Sequence, residues 1–574
     1  FVPGDKLNVK NVRKTMDLIF SFAELGPVVL SMACAWLVPV ALRHYILTEV
    51  DGGWSRVFCL ILRELFMGDE SFGTSGVAVV IKGAPRLIFA KLHWLLADGD
   101  GHRMTMCWKG ARGLKPCLVH TNVLMKEHAL LADLLDHVDI CCHDSTKFKI
   151  RSSADFALSA ETVRAAREAR LARPRDMTQE LYKDIEKAEG LTFNALGLPW
   201  DDELLAHVDV FSALIMDWVH SALQSGSVNV EVMLLLGACQ RFGKSFPELE
   251  AFLKRDDWEF PKHRRTNGRA LHRVFSEWRL SSSDDEERKV RASASELVAV
   301  YGLVRNFVQI EIGETIPELA TELASFDACC RVVDIFLLTK RGQLSVGEAV
   351  DRLDAALEEH MRLHKAAYGT DHIIPKHHWL FDVACRLRCK DLAWFLVDCF
   401  VLERSHLTVR DRAEHIDNTS QYERSVLAGT LNKQLLALKS MVAASGALLD
   451  THKAAMPGYP DARVANSMQA HGRHFSVGDI VLLGSRAGVV LACVQEGDAF
   501  FAIVEELALF EQITPQSATW RMGGARTLWH APSLFEVPRA LSNIVSPRPS
   551  DPNNENQFYT TNHCKRGDSF NLHR

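Results

Sequence analysis

At 574 residues the chain is long enough for several domains, and a hydrophobic share of 47% with a charged share of 24% is ordinary for a globular protein. A net charge of −6 excludes a polycation, so nucleic acid could be gripped only by local basic patches. Fourteen cysteines with no secretory leader in view fit a reducing compartment and core or metal roles, not a disulfide framework.

The first residue is Phe1, not Met, so the sequence reads as a fragment. Residues 1–70 carry apolar positions at helical spacing and predict consecutive helices broken at Gly26–Pro27 and Gly52–Gly53. Within them Leu25–Leu42 is just long enough to raise a membrane span. Pro27 and Pro39 interrupt it and Glu24 and Arg43 flank it, so a buried helix is expected and no membrane partner. Gly76–Ile81 is a β-branched run that predicts a strand. After the Gly83-Ala84-Pro85 turn, a strand-like stretch leads into Asp98-Gly99-Asp100-Gly101. A carboxylate just past a buried strand is where many α/β sites keep metal ligands; an Asp-Gly turn has the same spacing.

Cys117 and His120 form a Cys-x-x-His pair, and Cys141, Cys142 and His143 follow. Two such clusters flanking a short hairpin suit a structural Zn2+ held by Cys117, His120, Cys141 and Cys142, with buried structural cysteines as the alternative. Residues 151–370 predict an all-helical region. One helix there carries a basic ridge through Arg164, Arg167 and Arg170, and a second basic cluster contains Arg264 and Arg265. Either could follow a phosphate backbone or be a solvated face. Between them, FSALIMDWVHSAL reads as an apolar helix carrying Asp217 and His220 three residues apart. Burying such a pair costs free energy unless the two bond each other or a ligand.

From Ile373 a helix starts at Pro375 with Lys376, His377 and His378 in its first turn. It leads to Cys399–Leu427, where Leu402, Val409, Ala413 and Ile416 make an apolar stripe and Glu403, His406 and Arg410 share an adjoining face. A carboxylate and an imidazole one turn apart can hold a divalent metal or face a phosphate; a solvated ion pair is the plainer reading. Beyond a polar linker, residues 470–540 alternate in short Gly-broken runs and predict a small SH3-like β-barrel. Residues 541–574 read as a disordered tail.

Taken in order, LLADGDG with KGARGLKPCLVH, Asp217-Trp218-Val219-His220, PKHHWLFDVA, and FVLERSHL with Asn418-Thr419 resemble the motifs of Plavaka/KDZ-type cut-and-paste transposases. The resemblance spans roughly residues 8–435. It implies an α/β ribonuclease-H-like core over 1–110, a zinc knuckle over 111–150, a helical insertion over 151–370 and closing core helices over 371–445. It also implies DNA as partner, Mg2+ or Mn2+ as cofactor, a homo-oligomer and a nuclear location. Asp98, or its rival Asp100, would be the second catalytic acid and Glu403 the third, with Arg404 and His406 beside it. Asp217 and His220 would brace the insertion or touch DNA.

In that family the first acid lies on the first core strand, which this resemblance places before Phe1; Asp5 lies in a Pro-Gly turn and is a poor substitute. The expectation is therefore a transposase-derived DNA-binding protein with an incomplete, inactive two-metal site. Two other readings compete: a non-catalytic DNA- or protein-binding scaffold, and a membrane-associated helical protein built on Leu25–Leu42.

Overall fold

Thr15, Asp17 and Ile19 alternate with Met16, Leu18 and Phe20, a period of two, and in the computed structural model they form strand β1 (Thr15–Phe20). It pairs antiparallel with β2 (Leu37–Arg43), Asp17 lying opposite Ala41. The structure describes residues 15–253, 258–259, 294–452 and 463–530, and short strands at 535–536, 544–545 and 557–560. Within these ranges residues 26–28, 31, 82, 133–135, 245, 341–343, 390–397, 417–418, 444–446, 471–472, 478, 484–485, 498, 515–516 and 522–524 are outside the description. The basic pair Arg264 and Arg265, and the Asn418 turn, lie outside the described residues.

The helix expected over Leu25–Leu42 is thus a correction. Its second half is β2, preceded by a short 3-10 turn at Ala33–Ala35. Proline removes a helical hydrogen bond and clashes with the preceding turn, whereas Val38 and Val40 favour a pleated strand. The first strand pair is likewise present where helices were expected.

Helix α1 (Gly53–Met67) follows, then the antiparallel hairpin β3 (Val77–Ile81) and β4 (Ala84–Ile88). Strand β5 (Leu95–Ala97) ends at Asp98, which opens helix α2 (Gly99–Thr105). Helix α3 (Ser153–Ala172) carries the basic ridge and starts on a capping box made by Ser152 and Asp155. The predicted helix through Asp217 is in fact split. Leu214–Met216 is strand β6, parallel to β5 with Ala97 opposite Met216, and α4 (Trp218–Ala222) begins only after Asp217. Three apolar residues give no periodicity of their own, so partnership with β5 decides their state.

The remainder of the body is helical: α5 (Ser227–Gln240), α6 (Ala320–Lys340), α7 (Val346–Tyr368), α8 (Pro375–Cys389), α9 (Cys399–Glu414) and α10 (Tyr422–Ala443). Helix α8 runs through the main core, with Leu380, Phe381, Val383 and Ala384 all buried, and Trp218 stacks on Phe336 of α6 at 4.9 Å. The apolar segment Trp218–Gln240 is long enough to cross a membrane by length and composition, but most of it is buried in this core. The β1–β2 ribbon is clamped onto α9 and α10. Arg43 makes a two-pronged ion pair with Glu423 at 2.6 and 3.0 Å, Thr15 bonds Tyr422 at 3.0 Å, and Ala41 packs with Val409, Ala413 and Val426.

The described strands between 447 and 560, with Trp258–Glu259 at one edge, form an antiparallel sheet with its own core of Met468, Phe475, Val481, Val490, Phe500, Val504 and Trp529. Strands β7 (Arg486–Glu496) and β8 (Ala499–Thr514) meet at Gly497, whose φ of +56° suits the tight turn. Among the described residues this sheet is open, so the closed SH3-like barrel does not stand. The reason is the 16-residue length of β8, which outruns the small core and also pairs with Ser517–Arg521 and Arg526–His530. In the expected tail, Ile544–Val545 and Gln557–Thr560 are paired strands.

Candidate functional site

On a strand, alternate residues share a face, so Asp17 projects on the same side as Thr15, the residue that meets Tyr422 of α10. There Asp17 Oδ1 is ion-paired with His406 Nδ1 of α9, one helical turn from Glu403. Its other oxygen, Oδ2, is buried without a hydrogen-bond partner.

Asp98, at the end of β5, lies near enough for its charge to act on His406 and His220. Its Oδ1 accepts the Gly101 amide at 2.6 Å and caps α2. Two glycines make this turn possible. A Cβ on Gly99 would lie 2.8 Å from the Trp379 ring, and one on Gly101 would lie 2.9 Å from Ala97 Cβ and 3.1 Å from Asp98 Oδ1. Asp100 instead faces solvent in an ion pair with Arg103, so it does not compete with Asp98.

Because β5 and β6 are parallel and in register, Asp217 follows β6 beside Asp98, and its amide donates to the Ala97 carbonyl at 3.2 Å. The buried Asp217 carboxylate accepts from the amides of Val219 (3.3 Å), His220 (3.0 Å) and Cys399 (3.2 Å), and from His220 Nδ1 at 2.5 Å. It therefore fixes the start of α9 and the His220 ring together. His220 Nε2 then faces Glu403 Oε1 at 3.6 Å. Asp398 caps α9, buried and ion-paired with Lys340.

The charges of these groups act on one another. Burial alone would lower the His220 pKa, but the Asp217 hydrogen bond and the charges of Asp217, Asp98 and Glu403 leave it raised. His406 is raised in the same way, burial being outweighed by Asp17, Glu403 and Asp98. Burial, opposed by His220, leaves the Glu403 carboxyl above its ordinary value. Lys376 lies within the fields of Asp98 and Asp217, though burial lowers its pKa, and it donates to the Gln224 carbonyl at 2.5 Å.

A second cluster is closed. Cys117 Sγ, His120 Nδ1, His378 Nε2 and Asp382 Oδ1 surround one point, all four residues buried. The gaps between ligand atoms are 2.8 Å (His120–Asp382), 3.0 Å (Cys117–Asp382), 3.1 Å (His120–His378), 3.3 Å (His378–Asp382) and 3.7 Å (Cys117–His120). Ligands about 2.0–2.3 Å from a tetrahedral ion stand at comparable separations. The Val119 and His120 amides donate to Cys117 Sγ at 3.2 and 3.0 Å, an arrangement that stabilises a thiolate. Asp382 Oδ2 has no partner. Burial, then the Asp382 charge, drives the thiol pKa well up, while the two imidazoles hold Asp382 below the ordinary carboxylate range despite its burial.

Cys117 and His120 thus keep the expected role of candidate ligands, but Cys141 and Cys142 do not join them. The Cys141 amide donates to Asp139, Cys142 Sγ turns to the Asp144 carbonyl at 3.7 Å, and the distant helix α8 brings His378 and Asp382 in their place.

The chain matches no protein-family model, no curated protein and no solved structure.

Of the sequence-predicted acids, Asp98 and Glu403 are brought to one electrostatic cluster with Asp217, His220 and His406. Arg404 lies half-buried on the neighbouring face of α9. Sequence reading missed Asp17, though TMDLIF alternates and its aspartate falls at an interior position of the strand. It also missed Asp382, four residues after His378 and so on the same helical face. The basic ridge is largely engaged within the protein. Arg164 pairs with Asp202 and Glu161, Arg167 lies 5.9 Å over the Tyr182 ring, and Arg170 donates to the Met177 carbonyl.

Proposed function

We propose that the chain is a DNA strand-transfer or nuclease protein of the cut-and-paste transposase type, with a ribonuclease-H-like core and a complete acidic set: Asp17, Asp98 and Glu403. The observation that carries this reading is the buried Asp17 carboxylate on the first strand, joined through His406 to the helix that bears Glu403. An acid at mid-strand, a second just beyond a parallel strand and a third on a late helix follow the order of the resembling family. In this reading Asp17 serves as the first acid in place of the residue expected before Phe1, which would make the set complete.

The orphaned Asp17 oxygen, with the Glu403 and Asp98 carboxylates that act beside it on His406, fits hard divalent cations, which take oxygen ligands. Mg2+ or Mn2+ held by these residues would supply activation of the attacking oxygen and charge stabilisation at phosphorus. Asp217, with every hydrogen bond directed inward, is a positioning residue that sets His220 and the start of α9. His220, burial outweighed by Asp217 so that its pKa is raised, is placed to hand a proton toward Glu403. The Lys376 ammonium places positive charge where a phosphate would approach. Cys117, His120, His378 and Asp382 form a structural Zn2+ cage that ties the segment after α2 to α8.

The test is cleavage of supercoiled plasmid DNA by the full chain with Mg2+ or Mn2+. Metal-dependent nicking that disappears in Asp17→Asn, Asp98→Asn and Glu403→Gln is the expected result. Binding of DNA without cleavage in any metal would overturn it in favour of the scaffold reading.

A further inference from the structure

The two histidines that follow Lys376 face different clusters. His378 belongs to the cysteine-containing cage, while the ring of His377 lies 5.2 and 6.0 Å from those of His364 and His360 on α7. Those two residues are four apart and therefore share one helical face. Between them Glu231 of α5 places its carboxylate: Oε2 is 2.7 Å from His364 Nδ1 and 3.3 Å from His360 Nε2. The three ligand atoms lie within 4.8 Å of one another.

We propose that Glu231, His360 and His364 form a second, wholly buried Zn2+ site, distinct from the cysteine cage and remote from any role in catalysis. Three observations argue for it together. First, Glu231 is fully buried and, among the described residues, is paired with no lysine or arginine. A buried carboxylate without a cation is costly, and a divalent ion supplies the missing charge. Second, Glu231 Oε1, His364 Nε2 and His377 Nε2 are all buried without hydrogen-bond partners, an accumulation of orphans that native cores avoid. Third, the donor set is two imidazoles and a carboxylate, which suits Zn2+, and His377 stands close to the remaining side. Closure on all sides makes the site structural: it would pin α5 against the α7–α8 hairpin.

The alternative is a self-satisfied Glu–His–His network without metal. The experiment is metal analysis of the purified full chain, with cobalt substituted for zinc to separate the two sites spectroscopically. Cobalt bound by Cys117 gives a thiolate-to-metal charge-transfer band, whereas cobalt at Glu231 gives none. The wild type is expected to hold one more ion per chain than the charge-transfer intensity accounts for. Glu231→Gln, which keeps the shape and a hydrogen-bonding oxygen, is expected to lose that ion and leave the thiolate band untouched. His360→Asn gives a second reading should Glu231→Gln fail to fold. Wild-type metal fully accounted for by the thiolate-bound ion, or metal content unchanged in folded Glu231→Gln, overturns the proposal. Absence of the thiolate band with the extra ion still present would count against the cysteine cage alone.

Discussion

The acidic site and the cysteine cage use the same side chains, imidazole and carboxylate, yet differ in almost every physical respect. At the acidic site the Glu403 and His406 side chains are about half exposed, at 48% and 51%. In the cage Asp382 and His378 are at 0%. An open cluster can exchange protons, ions and a phosphate with solvent; a closed one can only be satisfied from within or by a resident ion. Burial, more than residue type, separates a reactive constellation from a structural one.

The largest effects should come from breaking each site in turn. Asp98→Asn keeps an oxygen to cap α2 but removes a carboxylate from the proposed metal site. DNA cleavage should fall about a thousandfold or more, the several kcal/mol that a catalytic ion supplies, while the melting temperature barely moves. Asp382→Ala should do the reverse. Stranding two buried imidazoles and a thiol should cost about 3–5 kcal/mol of stability, seen as a lower denaturation midpoint. Equal loss of stability from both substitutions would erase the distinction.

A smaller effect tests the turn that presents Asp98. Gly99→Ala drives a methyl to 2.8 Å from the Trp379 ring. Overpacking of this kind costs about 1–3 kcal/mol, and displaced Asp98 should weaken Mn2+ binding measured by calorimetry.

Titration sharpens the comparison further. The folded His406 pKa is raised by Asp17, so the pair stabilises the protein fully below the ordinary imidazole value. That contribution is lost as pH rises through the raised value. Melting temperature without metal should fall across this window, and Mg2+ affinity should rise as the proton leaves. Asp17→Asn should abolish the stability step; an unchanged profile would show that the pair does not form in solution. The cage, shut from solvent, should show no such step there.

The smallest effect concerns DNA affinity. Arg164 and Arg170 already have partners within the protein. Single alanine substitutions should change affinity by less than about twofold and reduce the salt slope by less than the ~0.9 of one phosphate contact. A full unit of slope at either residue would show that it grips the backbone.

Much of the site was legible in the sequence where chemistry and local spacing coincide. The Asp98 turn announces itself by its glycines, Glu403 and His406 by helical spacing, and Cys117 with His120 by a three-residue interval that a tight turn can close. Asp17 and Asp382 were equally visible as letters, but nothing local marks them. Asp17 gains meaning only when β1 is laid against α9, and Asp382 only when α8 meets a loop some 260 positions earlier.

The sequence by itself determined the helical texture, the caps and the glycine-bound turns, because propensity and periodicity act over one or two turns of chain. Tertiary structure alone decided that Leu214–Met216 is a strand, that Asp98 and Asp217 stand side by side, and that two neighbouring histidines serve separate clusters. Such outcomes depend on which distant surface removes each group from water, and that is a property of the whole packed chain.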